Sequence, residues 1–307
     1  MSSTKNFVSI LFLVNTLCFV GLDILNVTVD VFADNKGKDF IYENDIIEIP
    51  DDAVSEHQEK VLKKESATDK KESLNSLELA FGYIEKGNKY EARNILSDLY
   101  LTETDHAKKI KIKEQLDILN KEIVFSQASS PDAFFYTVKP GDSLIKIADN
   151  FNTPHKLIMQ INHKSRSLIR VGERLKILKG EISLLVDKSD FTLTVLLNGH
   201  YIKQFPVGIG KDNKTPEEVF FVKDKLEDPV WYSPEGVFPF GHPKNVLGTR
   251  WIGFEEKEGL YGYGIHGTAE PESIGKAESN GCIRLRNEDV EELFDFVETK
   301  TKVVIQK

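Results

Sequence analysis

Residues 263–285 read YGIHGTAEPESIGKAESNGCIRL. His266 stands sixteen residues ahead of Cys282, and Gly262, Gly264, Gly267, Gly275 and Gly281 lie around the pair. Glycine lets a backbone take positive φ or approach another group closely, so this stretch reads as a built loop rather than a spacer. Upstream of it, from Glu181, apolar residues recur with a period of two. Ile182 to Val186, Phe191 to Leu197, His200 to Val207, Glu218 to Val222 and Gly248 to Phe254 read as strands, and Asn198-Gly199 is a strong hairpin signal. Downstream the period becomes helical: Asn287 is expected to cap a helix with Glu288 and Asp289 in its first turn and Val290, Leu293, Phe294 and Val297 inward. Residues 181–307 are therefore expected to form a mainly β sandwich with one helix at its end.

The chain has 307 residues, room for two domains or three if one is small. Its 40% hydrophobic and 29% charged content is that of a folded protein, and a formal net charge of -9 excludes nucleic acid as a partner of the chain as a whole. Of its two cysteines, Cys18 lies in an uncharged run from Phe7 to Leu22 that follows Lys5. That run is shorter than the ~20 residues a membrane span needs. Val31 and Ala33 supply small residues ahead of a cut before Asp34, so residues 1–33 read as a secretory signal peptide. Bulky Leu17 argues against a lipoprotein cut at Cys18. The remainder is expected beyond the cytoplasmic membrane, in the periplasm or cell wall, with one thiol and no intramolecular disulfide. Such a thiol is either used or buried as a small hydrophobe.

Residues 34–72 mix acids, lysines and serines with few aromatics and read as a disordered linker. A helical region is expected over 73–126: Leu74, Leu77, Phe81 and Ile84 on one face, Gly87 as a stop, Tyr90, Ala92, Ile95, Leu96 and Leu99 on a second helix, and a third from Asp105 to Val124. The first two helices resemble a tetratricopeptide unit through Ala80, Gly87, Tyr90 and Ala92. One unit lacks the stacked neighbours such repeats need, which favours a small bundle or stalk over a site for a protein partner. Ser126 to Pro131 reads as a second linker. Residues 134–179 then form a βααβ unit: strand at Phe135 to Val138, turn at Pro140-Gly141-Asp142, helix from Ser143 to Asn150, a second helix capped by Thr153, and a closing strand from Arg174 to Leu178. A unit this small buries too little core to be an enzyme.

Residues 136–178, from YTVKPGDSL through Asn162 to VGERLKI, resemble a LysM domain. The resemblance implies binding of N-acetylglucosamine-containing glycan in a shallow groove formed by Gly141, Asp142, Ser143 and Leu144 with Ile161 and Asn162. Gly141 and Asp142 are also what the turn alone would require. Between Phe134 and Gly180 there are nine Lys or Arg against three Asp or Glu, a basic surface in an acidic chain.

A free thiol, with a pKa of about 8.5, is mostly protonated at neutral pH, so nucleophilic use of Cys282 needs a base. His266 can take the proton and later return it to a leaving amine if an acceptor on its second nitrogen fixes the tautomer. Backbone N–H groups must meet the oxyanion, which Gly281 beside the thiol would permit. IHGT at 265–268, SIG at 273–275 and S-x-GCIRL from Ser279 to Leu285, with FPVGIGKDNKTP (205–216) and NVLGTRWIGF (245–254), resemble an L,D-transpeptidase catalytic domain. The resemblance implies Cys282 as nucleophile, His266 as base and then acid, the Ser279 carbonyl orienting the imidazole, and N–H groups near Gly281 and Cys282 as oxyanion hole. It implies no metal or cofactor, with peptidoglycan stem peptides and glycan strands as partners and 3-3 crosslinks as product. Arg284 is a candidate for a substrate carboxylate or for a structural ion pair. Trp251, Tyr263 and Asn280 are candidates to line the substrate cleft, although aromatic residues more often belong to a core. Asn280 departs from the family, many members having histidine there. The same residues would serve hydrolysis or attachment of a protein amine, and an inactive wall-binding scaffold is the rival of another class. A metal site of His242, His266 and Cys282 fits no familiar spacing.

Overall fold

The computed structural model describes residues 74–307; the expected signal peptide and the linker over 34–72 lie outside the described residues. The first helix, α1, runs over 74–85 and is followed by α2 (Lys89–Thr102) and α3 (His106–Ile123). Asp105 caps α3 by accepting from the N–H groups of Ala107 and Lys108. The inward face of α1 differs from the expected one. Leu74 and Phe81 are exposed, while Ala80 is fully buried and Leu77 and Ile84 pack beside it. A helix centred on a small residue comes closer to its neighbour, and this rotates the larger residues at 74 and 81 outward.

The βααβ unit consists of β1 (Ala133–Thr137), α4 (Leu144–Phe151), α5 (His155–Ile161) and β2 (Arg174–Leu178), with β1 and β2 antiparallel. Ser143 caps α4 through Lys146 N–H. Thr153 does not cap α5: Pro154 holds that position, and the Thr153 hydroxyl donates back to the Phe151 carbonyl. Leu144, Ile147, Ile158, Leu175 and Ile177 form a small core, whereas Leu157 and Ile161 face another way and join the larger core of the C-terminal region.

That region contributes β3 (Ile182–Asp187), β4 (Thr192–Leu197), β5 (His200–Pro206), β6 (Ile209–Gly210), β7 (Val219–Glu227), β8 (Trp231–Ser233), β9 (Gly236–Phe238), β10 (Arg250–Phe254), β11 (Gly264–His266), β12 (Ala277–Ser279), β13 (Ile283–Arg284), α6 (Asn287–Phe296) and β14 (Lys302–Gln306). Eight of the strands form one sheet in the order β13-β11-β10-β7-β14-β3-β4-β5, with β11/β13 and β14/β3 parallel and the other pairs antiparallel. The β4–β5 hairpin turns on Asn198 and Gly199, both at positive φ as a two-residue turn of this kind requires. β8 and β9 form a separate hairpin, and β12 pairs in parallel with β6. Asn287 is the first residue of α6 rather than its cap; its Oδ1 accepts Thr249 N–H, which ties the helix start to the strand β10.

The segments around the sheet are docked on it. Strand β5 is an edge, and an edge leaves backbone groups without partners. Here Tyr201 N–H donates to Ser97 Oγ of α2 at 2.7 Å, and Asn120 of α3 donates to the Tyr201 carbonyl at 2.9 Å. The Tyr201 side chain is buried in the helical core, edge-on to Tyr100. Arg93, also fully buried, pairs with Asp132, which further accepts from Tyr90 and Asn198. The Ser126–Pro131 stretch, expected to be a linker, joins this packing. Lys176 Nζ donates to the carbonyls of Ile123, Val124 and Ser126, filling acceptors that the end of α3 leaves open.

Candidate active site

Two rows of residues across the sheet build one cavity. Register sets Leu226 opposite Trp251, Trp251 opposite His266, and His266 opposite Arg284. The second row, two residues along, runs Asp224–Gly253–Gly264. Cys282, in the bend just ahead of β13, lines the same cavity. The intervening Ile252, Ile265 and Ile283 point to the core. The cavity above the two rows measures about 650 Å³ and is lined by Asp224, Trp251, His266, Cys282 and Arg284, with Trp231 and Tyr232 of the β8–β9 hairpin at its side.

The two glycines make room for one ring. A Cβ on Gly264 would lie 2.7 Å from the Trp251 ring, and one on Gly253 would lie 2.7 Å from Trp251 Nε1. Trp251 thus lies down over them, its Nε1 donating to Asp224 Oδ1 at 3.1 Å and its ring stacking on His266 with centroids 6.0 Å apart. His266 is buried, and its Nδ1 meets the Gly267 carbonyl at 2.5 Å. A carbonyl can only accept, so Nδ1 carries the proton and Nε2 is left as the base. The orienting carbonyl is therefore that of Gly267, not that of Ser279. Ser279 acts through its hydroxyl instead: Oγ donates to the Cys282 carbonyl at 2.6 Å and accepts from Gly281 N–H at 3.1 Å. Gly281 N–H, expected among the oxyanion donors, is thereby committed.

Burial pushes the His266 imidazole down to about 4; the Gly267 carbonyl opposes this and the Arg284 charge adds to it. Burial likewise raises the Cys282 thiol, against the Gly264 N–H and Arg284, which lower it. The residue keeps part of its surface open to the cavity, and its Sγ lies 3.6 Å from the Gly262 carbonyl. At neutral pH both groups rest uncharged, a neutral thiol and a neutral imidazole. Arg284 pairs with Glu270 at 3.0 Å, while its buried Nε has no protein partner.

The remaining expected residues divide. Asn280 is exposed at the cavity rim. Tyr263 lies outside the lining: it stacks on Phe220 and its hydroxyl donates to the Lys214 carbonyl. His242 rests against Phe238 and accepts Lys244 N–H, and among the described residues no three His, Cys, Asp or Glu side chains gather to hold a metal. In the βααβ unit Gly141 takes positive φ in the turn, and Asp142 accepts from Lys139 N–H and Tyr136 OH. Leu144 and Ile161 are buried, so their side chains are core and only their backbone can face a ligand. Asn162 bonds both backbone groups of Lys176 and the Ile158 carbonyl, and Gln127 covers it from the preceding segment. Asp224 and the Gly267 carbonyl are components that the sequence did not single out. The Asp224–Trp251 pairing depends on register between distant strands, and a backbone carbonyl carries no side-chain signal.

A model of the L,D-transpeptidase catalytic domain (YkuD) matches residues 181–305, and a model of the LysM domain matches 136–178. Among similar proteins, one named as the L,D-transpeptidase YqjB of Bacillus subtilis (strain 168) is 43% identical over 131 residues, 42% of this chain and 73% of that protein. Another, named as the L,D-transpeptidase YkuD of the same organism, is 32% identical over 180 residues, 56% of this chain and 98% of that protein. A crystal structure of an L,D-transpeptidase from Mycobacterium tuberculosis H37Rv is 19% identical, with a TM-score of 0.35 over 45% of this chain and 63% of that one. With a relative matched along almost its whole length, and the two domain models lying end to end, the chain belongs to the L,D-transpeptidase family and carries a LysM domain ahead of its YkuD catalytic domain.

Proposed function

We propose that the chain is a peptidoglycan L,D-transpeptidase that forms 3-3 crosslinks through a thioester on Cys282 and is held on glycan strands by its LysM domain. The observation that carries this is one cavity lined both by a tautomerically fixed His266 of β11 and by Cys282 just ahead of β13. In the first half-reaction His266 Nε2 takes the Cys282 proton as Sγ attacks the carbonyl of the third, L-centred residue of a tetrapeptide stem. The carbonyl π pair moves onto oxygen, and its return breaks the C–N bond. The departing D-alanine amine takes the proton back from His266. In the second, the amine of another stem attacks the thioester and gives its proton to His266; collapse forms the new amide and expels the Cys282 thiolate, which takes that proton back.

Arg284 supports the reading as a partner for a stem carboxylate, since it lines the cavity and its charge stands beside the reacting groups. The LysM domain would raise the local concentration of stems by holding the same polymer, as any linked second site does. Action on peptidoglycan places the protein outside the cytoplasmic membrane. The test is incubation of the enzyme with purified disaccharide-tetrapeptide followed by mass analysis. A dimer lacking one D-alanine supports crosslinking, a tripeptide alone indicates trimming by water, and unchanged substrate with folded protein overturns the enzymatic reading. For the tether, C282A should co-sediment with insoluble peptidoglycan and be displaced by N-acetylglucosamine oligomers; binding that those oligomers leave untouched would argue against LysM as the anchor.

A further inference from the structure

The turn that carries Cys282 is pinned by two hydroxyls. Ser279 Oγ holds Gly281 N–H and the Cys282 carbonyl, as above. The second hydroxyl comes from outside the His266–Cys282 stretch: Thr215, buried at 1% exposure, accepts Gly210 N–H at 2.7 Å and donates to the Gly281 carbonyl at 2.8 Å. A threonine hydroxyl has one proton to give, and this one goes to Gly281.

The backbones involved are in contact. Gly210 of β6 pairs with Ser279 of β12, and a Cβ on Gly210 would lie 2.9 Å from Gly281 Cα and 2.8 Å from Thr215 N. Gly281 has φ +133°, and a Cβ there would lie 2.8 Å from the Tyr263 ring and 3.1 Å from the Lys214 carbonyl. The 210–215 segment is thus a brace against which the nucleophile turn is pressed.

A peptide unit is planar, and there are no cis bonds in the described chain, so the carbonyl and N–H of the Gly281–Cys282 peptide point in opposite directions. Fixing the Gly281 carbonyl therefore fixes the direction of Cys282 N–H. With Gly281 N–H committed to Ser279, Cys282 N–H is the nearby backbone donor left for an oxyanion. We propose that Thr215 is a positioning residue for the oxyanion site, aiming Cys282 N–H at the oxygen that gains the carbonyl electron pair when Sγ attacks. The inference rests on the thioester reading above.

The test compares T215V, T215A and T215S in the full chain by two rates. Release of D-alanine from disaccharide-tetrapeptide passes through an oxyanion; alkylation of Cys282 by iodoacetamide, a displacement of iodide at a saturated carbon, does not. The expected result is a kcat lower by about 10²-fold in T215V and T215A, within the range for loss of one oxyanion donor, with KM and the alkylation rate within about twofold of the parent. T215S, which keeps the hydroxyl, should recover most of kcat. Parental kcat in a hydroxyl-free variant would overturn the proposal. So would an equal fall in both rates, or loss of the cooperative melt in both T215V and T215A, since the hydroxyl would then be supporting the domain and not the donor. Failure of the thioester reading looks different: the parent would release D-alanine without an adduct on Cys282, whatever Thr215 does.

Discussion

Moving the assay from pH 8 to pH 5 tests the electrostatics of the His266 site. A solvent-exposed imidazole titrates near 6.5, so at pH 5 only about 3% of it would remain as base. Burial holds His266 at about 4, so about 90% should remain. The two cases differ by about 30-fold in kcat/KM at pH 5, a quantity that reports the free enzyme's ionisations. The thiol is shifted the opposite way, upward, so the profile should be a broad plateau with its acid limb near pH 4 and its alkaline limb above the ordinary thiol range. The assay is D-alanine release at substrate well below KM from pH 4 to pH 10. The same shift has a stability consequence. The folded-state pKa is below the unfolded one, so His266 contributes stability that is complete above about pH 6.5 and is lost as pH falls toward about 4. The loss is on the order of 3 kcal/mol, taking about 1.4 kcal/mol per pKa unit. Urea melts of the parent minus those of H266Q isolate it from the carboxylates that titrate in the same range. An acid limb between pH 6 and 7, with no difference between the two melts, would refute the neutral-pair description.

Three further substitutions probe the surroundings. G264A places a methyl within 2.7 Å of the Trp251 ring and of the Ile252 carbonyl, so it should lower stability by about 1–3 kcal/mol in urea melts and also reduce kcat as the ring is pushed off His266. D132N leaves the buried Arg93 without its counter-charge and should cost about 3–5 kcal/mol, read as a shift of the urea midpoint; a change under 1 kcal/mol would show that the pair does not hold the helices to the sheet. N280A removes an exposed rim side chain and should leave the melt within about 0.5 kcal/mol while changing KM for the tetrapeptide, and a large stability loss would contradict its placement.

Much of the architecture is local in origin and could be read from the chain. The Asn198-Gly199 hairpin, the helix that follows the Pro140-Gly141-Asp142 turn, the closing strand of the LysM unit and the period-two runs each depend on residues within a few positions of one another. What escaped the sequence depends on distant pairing. β14 is a five-residue run placed between β3 and β7 in the middle of the sheet, and nothing in KVVIQ announces that position. Tyr201 reads as an ordinary strand residue, yet it is buried because α2 and α3 cover the edge that β5 presents. The face of α1 differs from its apolar stripe of Leu74, Leu77, Phe81 and Ile84 because small Ala80 decides which side packs, leaving Leu77 and Ile84 beside it and Leu74 and Phe81 outside. At the site, the sixteen-residue spacing of His266 and Cys282 says little by itself, and it is the resemblance carried by IHGT and S-x-GCIRL that singles the two out. The Gly267 carbonyl was not legible, because a backbone carbonyl carries no side-chain signal, and the Asp224 brace on Trp251 and the Thr215 contact join segments distant in sequence.

The proposed mechanism requires a stem peptide covalently bound to Cys282, and that species can be trapped. The full-length enzyme would be mixed with disaccharide-tetrapeptide, quenched in acid within a turnover, digested and analysed by mass spectrometry. The expected result is a peptide containing Cys282 heavier by the disaccharide-tetrapeptide less D-alanine, absent from C282A and depleted when an acceptor stem is added before the quench. D-alanine released by the parent with an unmodified Cys282 peptide at every quench time, or released equally by C282A, would contradict the account.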